Sequence, residues 1–132
     1  MWMDYADTIV VIDDMMRDSD NWRSWADDTL VDLTLLQGDC AHPEIVKAAR
    51  EHSPYDLVFL DADHTYEAGT QHWNIYRHMV ESGGMFAFHD IRPYEHGQLD
   101  RLWAEIKREP GARTAEFHHF EADWGGIGVV WM

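Results

Sequence analysis

Only one cysteine, Cys40, occurs in the 132 residues, so no intrachain disulfide can form and a cysteine-rich zinc site is excluded. Positive charge is scarce too. Ten Lys and Arg face 25 Asp and Glu, a formal net charge of −15. That leaves no basic patch to displace counterions from a phosphate backbone, which argues against nucleic acid as a partner. An anionic membrane surface is disfavoured for the same reason. No apolar run approaches a membrane span, and the start of the chain has no basic region followed by an apolar stretch, so we read a cytoplasmic protein. Glycine is missing before Gly38, and linkers, internal repeats and low-complexity tracts are missing throughout.

What is present is a hydrophobic content of 45% with seven Trp. This describes a globular chain with a real core, one domain over residues 1–132. The most informative stretch runs from Tyr55 to Glu67. Leu57 to Leu60 form an apolar run of strand length that does not alternate with polar residues, which suits a strand buried on both faces. It ends abruptly in Asp61, Asp63 and His64. In open α/β sheets ligands bind beyond the carboxyl ends of the strands, so two carboxylates and an imidazole there mark a candidate site. The plainer reading is a polar turn in which Asp63 or Thr65 caps the next helix.

Upstream, Thr8–Ile12 is a β-branched strand ending in Asp13-Asp14. An acid just past such a strand is either a simple polar exit or a group that binds a ribose hydroxyl. Residues 18–28 carry Trp22, Trp25 and Ala26 at helical spacing behind Ser19 or Asp20 as cap. Leu33–Leu36 reads as a strand closing in Gln37-Gly38-Asp39-Cys40. Pro43 opens a helix that buries Ile45, Val46 and Ala49.

Downstream, Tyr66–Val80 reads as a helix with Trp73, Tyr76 and Val80 on one stripe, ended by Gly83-Gly84. Met85–Phe88 is another unalternating strand, and it ends in His89-Asp90. Strand, helix and strand make a βαβ unit, so Asp61 and Asp90 emerge on the same edge. Neighbouring strands lie about 4.8 Å apart, so the two carboxylates can face one another across a small gap. Leu99, Leu102, Trp103 and Ile106 follow an i, i+3, i+4, i+7 pattern, and Pro110-Gly111 stops that helix. Thr114–Phe120 and Ile127–Met132 are the last strands, at hairpin spacing. Met1, Trp2 and Tyr5 suit the last turn of a helix.

Three phrases carry a resemblance: Phe59-Leu60-Asp61-Ala62-Asp63-His64-Thr65-Tyr66-Glu67, Gly83-Gly84-Met85-Phe86-Ala87-Phe88-His89-Asp90-Ile91, and Gly126-Ile127-Gly128-Val129. In this order the chain resembles the class I S-adenosylmethionine-dependent methyltransferases. It is most similar to the small-molecule O-methyltransferase branch that includes macrolide-sugar methyltransferases and cephalosporin hydroxylase-like proteins. The resemblance covers the last two thirds of that domain. It implies a Rossmann-like three-layer α/β sandwich, a mostly parallel sheet with a C-terminal antiparallel hairpin.

The family's first strand and glycine-rich cofactor loop would precede Thr8 and are not in the sequence. The expectation is a shortened domain whose sheet either has a gap one strand wide or pairs the strand ending at Asp13 directly with the strand ending at Asp61. Such a chain is expected to bind S-adenosylmethionine weakly and, through exposed strand edges, to form homo-oligomers or aggregates.

Residue by residue, the resemblance implies that Asp13 binds the cofactor ribose and that Asp39 with Cys40 sits at the adenine. Asp61 and Asp90 resemble divalent-metal ligands, whose hard oxygens suit Mg²⁺. His89 stands where some relatives carry a further carboxylate, which admits Mn²⁺ or another softer ion. His64 resembles the general base that takes the acceptor's proton, a task for a group titrating near neutrality. The implied activity is metal-assisted methyl transfer to a hydroxyl of a small molecule: a sugar, a phenol or a peptidic natural product. Two alternatives stay open: a non-catalytic methyltransferase-like binding or assembly module, and a metal-dependent enzyme that uses Asp61, His64, His89 and Asp90 without S-adenosylmethionine.

Overall fold

The structure, a computed structural model, describes residues 6–17, 19–92, 98–118 and 125–132. The helix turn read at Met1, Trp2 and Tyr5 and most of the segment joining the last two strands lie outside them. The chain packs as two compact units, residues 1–52 and 53–132. No helix among the described residues is long and apolar enough to cross a membrane.

The first unit runs β1 (Thr8–Asp13), α1 (Ser19–Thr29), β2 (Asp32–Gln37) and α2 (Pro43–Glu51). The β-branched run Ile9–Ile12 makes β1, and β1 pairs β2 in parallel from Thr8 opposite Asp32 to Asp13 opposite Gln37. Both strands therefore end at the same level, and Asp13 lies there with the Gly38-Asp39-Cys40 turn. Pro43 occupies the first turn of α2, where its missing N–H goes unneeded. The His42 imidazole accepts from Glu44 N–H at 3.4 Å as the cap. Ala49 on α2 and Ala26 on α1 are buried, while Trp22 and Trp25 are half-buried.

The second unit runs β3 (Tyr55–Leu60), α3 (Tyr66–Tyr76), a 3₁₀ turn (Arg77–Met79), β4 (Val80–Arg92), α4 (Leu99–Ile106), β5 (Arg113–Phe117) and β6 (Gly125–Trp131). Its sheet has the order β3-β4-β6-β5, with β3 and β4 parallel and β6 antiparallel to both its neighbours. The fold is thus α/β and Rossmann-like, with parallel strands and a C-terminal antiparallel pair. The described strands hydrogen-bond into two sheets, β1-β2 and β3-β4-β6-β5.

Aromatic rings hold the second core together. Phe86 and Phe88 of β4 stack at 4.8 Å, Trp73 of α3 meets Phe86 edge-on at 5.0 Å, and Trp103 of α4 lies 5.9 Å from Phe88. Leu99, Leu102, Trp103 and Ile106, the helical stripe of α4, are all buried. Gly69 of α3 lets α4 approach, since a methyl there would collide with Leu99.

One element differs from the sequence reading. The helix begun at Tyr66 stops at Tyr76 instead of Val80, and Gly83-Gly84 lie inside β4. Val80 already pairs with Tyr55, and the register then jumps to Met85 opposite Leu57. The glycines form the excursion between these pairings, with φ of +89° at Gly83. They are held by Gly83 N–H to Met132 O at 2.9 Å and Met132 N–H to Gly84 O at 3.0 Å. Pairing to strands on both sides outweighed the local helical stripe.

Candidate functional site

The site is assembled where β3 and β4 run out. Their last paired residues are Leu60 and Phe88, so Asp61 and His89 come next at the same level. In a regular strand His89 and Asp90 would point to opposite faces. Here β4 bulges. His89 pairs with Ile127 and Arg92 with Gly125, so Asp90 and Ile91 together oppose the single residue Gly126. Asp90 takes φ +55°, the left-handed region. In bulges of this kind that position belongs to glycine, and aspartate is among the few residues that enter it readily. The glycines opposite adapt as well: Gly125 and Gly126 have φ of +79° and +87°. Behind the bulge the Ile91 side chain is buried against Trp103 and Gly128.

The result is a ring of alternating carboxylates and imidazoles. Asp61 Oδ1 lies 3.3 Å from His64 Nε2 and 3.3 Å from His89 Nδ1. Asp90 Oδ1 lies 3.2 Å from His89 Nδ1, and Asp90 Oδ2 lies 3.7 Å from His64 Nδ1. Asp61, His64 and His89 each place one ligand atom within 4.8 Å of the others. Asp61 is half exposed at 51% whereas Asp90 is 13% exposed, so the ring opens to solvent on the Asp61 side. The Phe59 ring meets the His89 ring edge-on at 6.3 Å.

His64 is held from its own backbone and its turn. Gln98 N–H donates to His64 O at 2.8 Å, tying the turn to the start of α4. Asp63 does not join the ring. Its Oδ1 accepts from Thr65 N–H at 2.8 Å, a bond that holds its carboxyl below the usual range. Thr65 in turn caps α3 by accepting from Ala68 N–H. These two residues follow the plainer reading of the turn.

Whether the ring suits a divalent cation is decided by its inner atoms. His89 Nδ1 and Asp90 Oδ1 are buried, and neither makes a hydrogen bond among the described residues although they lie 3.2 Å apart. Buried polar atoms without partners are rare and call for one. Carboxylate oxygen and imidazole nitrogen are donors a divalent cation takes, and Asp61, His64 and His89 place theirs within 4.8 Å of one another, with Asp90 beside His89, so the residues fit such an ion.

In the first unit Asp13, Asp39 and Cys40 lie where the sequence places them, at the carboxyl ends of β1 and β2. Asp13 Oδ1 accepts from both Met15 and Met16 N–H at 2.7 Å, and Asp39 Oδ1 accepts from Ala41 N–H at 2.8 Å. Each carboxylate thus gives one oxygen to its own turn. Cys40 is half-buried.

Sequence reasoning missed Phe59, Gly125 and the packing role of Gly128. The signal for the bulge was present in the Gly125-Gly126 pair at the mouth of the last strand, since two glycines there relax the backbone that must face a bulge.

Comparison with known proteins agrees with this fold. A family model described as a methyltransferase domain matches residues 4–91, more than half of the chain. No curated protein matches. Among solved structures, the chain is similar to an O-methyltransferase from Bacillus cereus in complex with SAH, at 14% identity and TM-score 0.67, covering 95% of this chain and 63% of that one. It is similar to the O-methyltransferase TomG from Streptomyces achromogenes, involved in tomaymycin synthesis and in complex with SAM, at 12% identity, TM-score 0.68, and 93% and 60% coverage. It is also similar to MycE methyltransferase from the mycinamycin biosynthetic pathway, in complex with Mg, SAH and mycinamycin VI, at 18% identity, TM-score 0.63, and 94% and 36% coverage. The chain therefore spans less than two thirds of the length of each of these three structures. By the family model it matches, the chain belongs to the methyltransferase-domain family, and it shares the fold of these methyltransferases.

Proposed function

We propose that the chain serves S-adenosylmethionine-dependent, divalent-metal-assisted methyl transfer to a hydroxyl of a small molecule. The observation that carries this is the ring of Asp61, His64, His89 and Asp90 at the carboxyl ends of β3 and β4. The MycE complex with Mg, SAH and mycinamycin VI supports the reading, as do SAM in TomG and SAH in the Bacillus protein.

Each residue then has a task. Asp61, His89 and Asp90 would hold the cation, with the bulge keeping Asp90 turned toward His89. A bound cation supplies Lewis acidity toward the acceptor hydroxyl, and the cofactor supplies the methyl group. His64 takes the hydroxyl proton, its buried Nε2 lying 3.3 Å from Asp61 Oδ1. Asp61 steadies the imidazolium that results. Asp13 binds the ribose through its second carboxylate oxygen, and Asp39 with Cys40 borders the adenine.

A second reading is favoured by one observation. Asp61, His64 and His89 alone make a two-imidazole, one-carboxylate set within 4.8 Å, the ligand type of metal enzymes that need no methyl donor. His64→Gln decides between them. As a base, His64 can be replaced with ion affinity unchanged while transfer of labelled methyl from S-adenosylmethionine to hydroxyl acceptors falls by about 10²–10⁴-fold. Loss of the ion in His64→Gln would make it a ligand and favour the second reading. Full methyl transfer in that variant would remove His64 from the chemistry.

A further inference from the structure

We infer that the cation site is built for a borderline ion of the Co²⁺ or Zn²⁺ kind and discriminates against Mg²⁺, and that His89 is the residue that sets this choice. The inference rests on the proposal that Asp61, His89 and Asp90 bind a divalent cation.

The reason lies in which atom occupies the centre of the ligand set. His89 Nδ1 is the one atom within reach of both carboxylates, 3.3 Å from Asp61 Oδ1 and 3.2 Å from Asp90 Oδ1. It is buried, and it has no hydrogen bond among the described residues. A cation drawn between the two aspartates cannot avoid that nitrogen. Imidazole suits Zn²⁺, Co²⁺ and their neighbours, whereas Mg²⁺ favours oxygen ligands and gives up its waters reluctantly.

The spacing points the same way. Four-coordinate ions with bonds of about 2.0–2.1 Å have ligand atoms about 3.3 Å apart. An octahedral Mg²⁺ with similar bond lengths brings adjacent ligands to about 2.9 Å. The two separations measured from His89 Nδ1, 3.3 and 3.2 Å, lie nearer the wider spacing. Contraction is resisted because Asp90 sits in a bulge whose following residue, Ile91, is buried against Trp103 and Gly128. The Phe59 ring lies edge-on to that of His89.

The test is titration calorimetry on chelator-stripped protein with Mg²⁺, Co²⁺ and Zn²⁺ separately. Wild type is expected to bind Zn²⁺ and Co²⁺ at least about 100-fold more tightly than Mg²⁺. The Co²⁺ form should show d–d absorption of a low-symmetry, nitrogen-containing site. His89→Asp is expected to narrow the Zn²⁺-to-Mg²⁺ ratio by about tenfold or more, since it exchanges the nitrogen for an oxygen. Asp90→Asn should weaken the tight phase while leaving any loose binding at the other histidines. Mg²⁺ binding equal to Zn²⁺ in wild type, or an unchanged ratio in His89→Asp with its fold intact by circular dichroism, overturns the inference yet leaves the cation site standing. Tight binding that survives both Asp61→Ala and Asp90→Asn removes the cation site itself, and the inference with it. The Co²⁺ spectrum of wild type needs no variant to fold: six-oxygen octahedral absorption overturns the inference by itself.

Discussion

His89 and Asp90 are chain neighbours on one strand, yet Nδ1 of the first lies 3.2 Å from Oδ1 of the second. Alternation along a strand sends adjacent side chains to opposite faces. The bulge against Gly126 and the left-handed backbone of Asp90 cancel that alternation. Strained backbone at a site is held there by the structure around it, and this gives the first prediction. Asp90→Gly should equal or exceed wild type in melting temperature, because glycine enters the left-handed region freely. Asp90→Val should lose about 1–2 kcal/mol or more of stability in urea unfolding. If the proposed cation binds here, both should lose it. An Asp90→Val variant as stable as Asp90→Gly would show that the backbone there is unstrained.

Gly128 on β6 supports the bulge from behind. A methyl group there would lie 2.8 Å from Trp103 Cε2 and 2.9 Å from Ile91 Cγ2. Neither neighbour can yield easily, since Trp103 and Ile91 are buried. Gly128→Ala is therefore expected to destabilise by about 1–3 kcal/mol through overpacking. Chemical denaturation measures this directly, and cation affinity should fall with it because Ile91 carries Asp90. An unchanged midpoint would mean that the core relaxes around the methyl.

Glu116 on β5 links stability to pH. Its Oε1 accepts from Lys107 Nζ at 2.6 Å and from the Trp103 indole N–H at 2.7 Å. The Lys107 bond first, and the Trp103 bond second, hold its carboxyl below the ordinary 4.5. A depressed folded value stabilises the protein above the unfolded value, and that stability is lost as pH falls through the folded one. The dependent window thus lies below about pH 4.5. Because the Lys107 pair is solvent-screened, Glu116→Gln should cost less than about 1 kcal/mol at pH 7. Glu116→Ala strands a buried indole donor and should cost about 1–3 kcal/mol. Thermal melts at pH 7 and at about pH 3 check the sign: the gap between wild type and Glu116→Gln should narrow as pH falls. A gap that does not narrow contradicts the assignment.

Asp13 separates a structural duty from a binding one. Its Oδ1 takes two backbone N–H groups, from Met15 and Met16. Asp13→Ala should cost about 1 kcal/mol, as loss of a capping side chain does. Asp13→Asn keeps an acceptor oxygen and should melt within a degree or two of wild type, roughly a few tenths of a kcal/mol. If Asp13 binds ribose, Asp13→Asn lowers cofactor affinity without lowering stability, as calorimetry and melting on the same sample would show. Equal loss of stability in both variants would mean that the charge, not the acceptor, holds the turn.

Local chemistry determined a good deal of this protein. The run Ile9–Ile12, the unalternating Leu57–Leu60 and the stripe Leu99, Leu102, Trp103, Ile106 each imply one element, although β3 is not buried on both faces as its sequence suggests, since Phe59 is exposed. The acids and histidines that end β3 and β4 were legible too, since a run of apolar residues must stop where the sheet meets water. Tertiary structure decided the rest. Nothing near Gly83-Gly84 indicates that they lie in a strand, because their conformation answers to Met132 at the other end of the chain. Nothing within Phe88-His89-Asp90 announces the bulge, which exists only once β6 inserts beside β4 and offers Gly126 to two residues at once. Strand pairing joins residues far apart in sequence, so the turn of Asp90 toward His89 is a property of the assembled sheet.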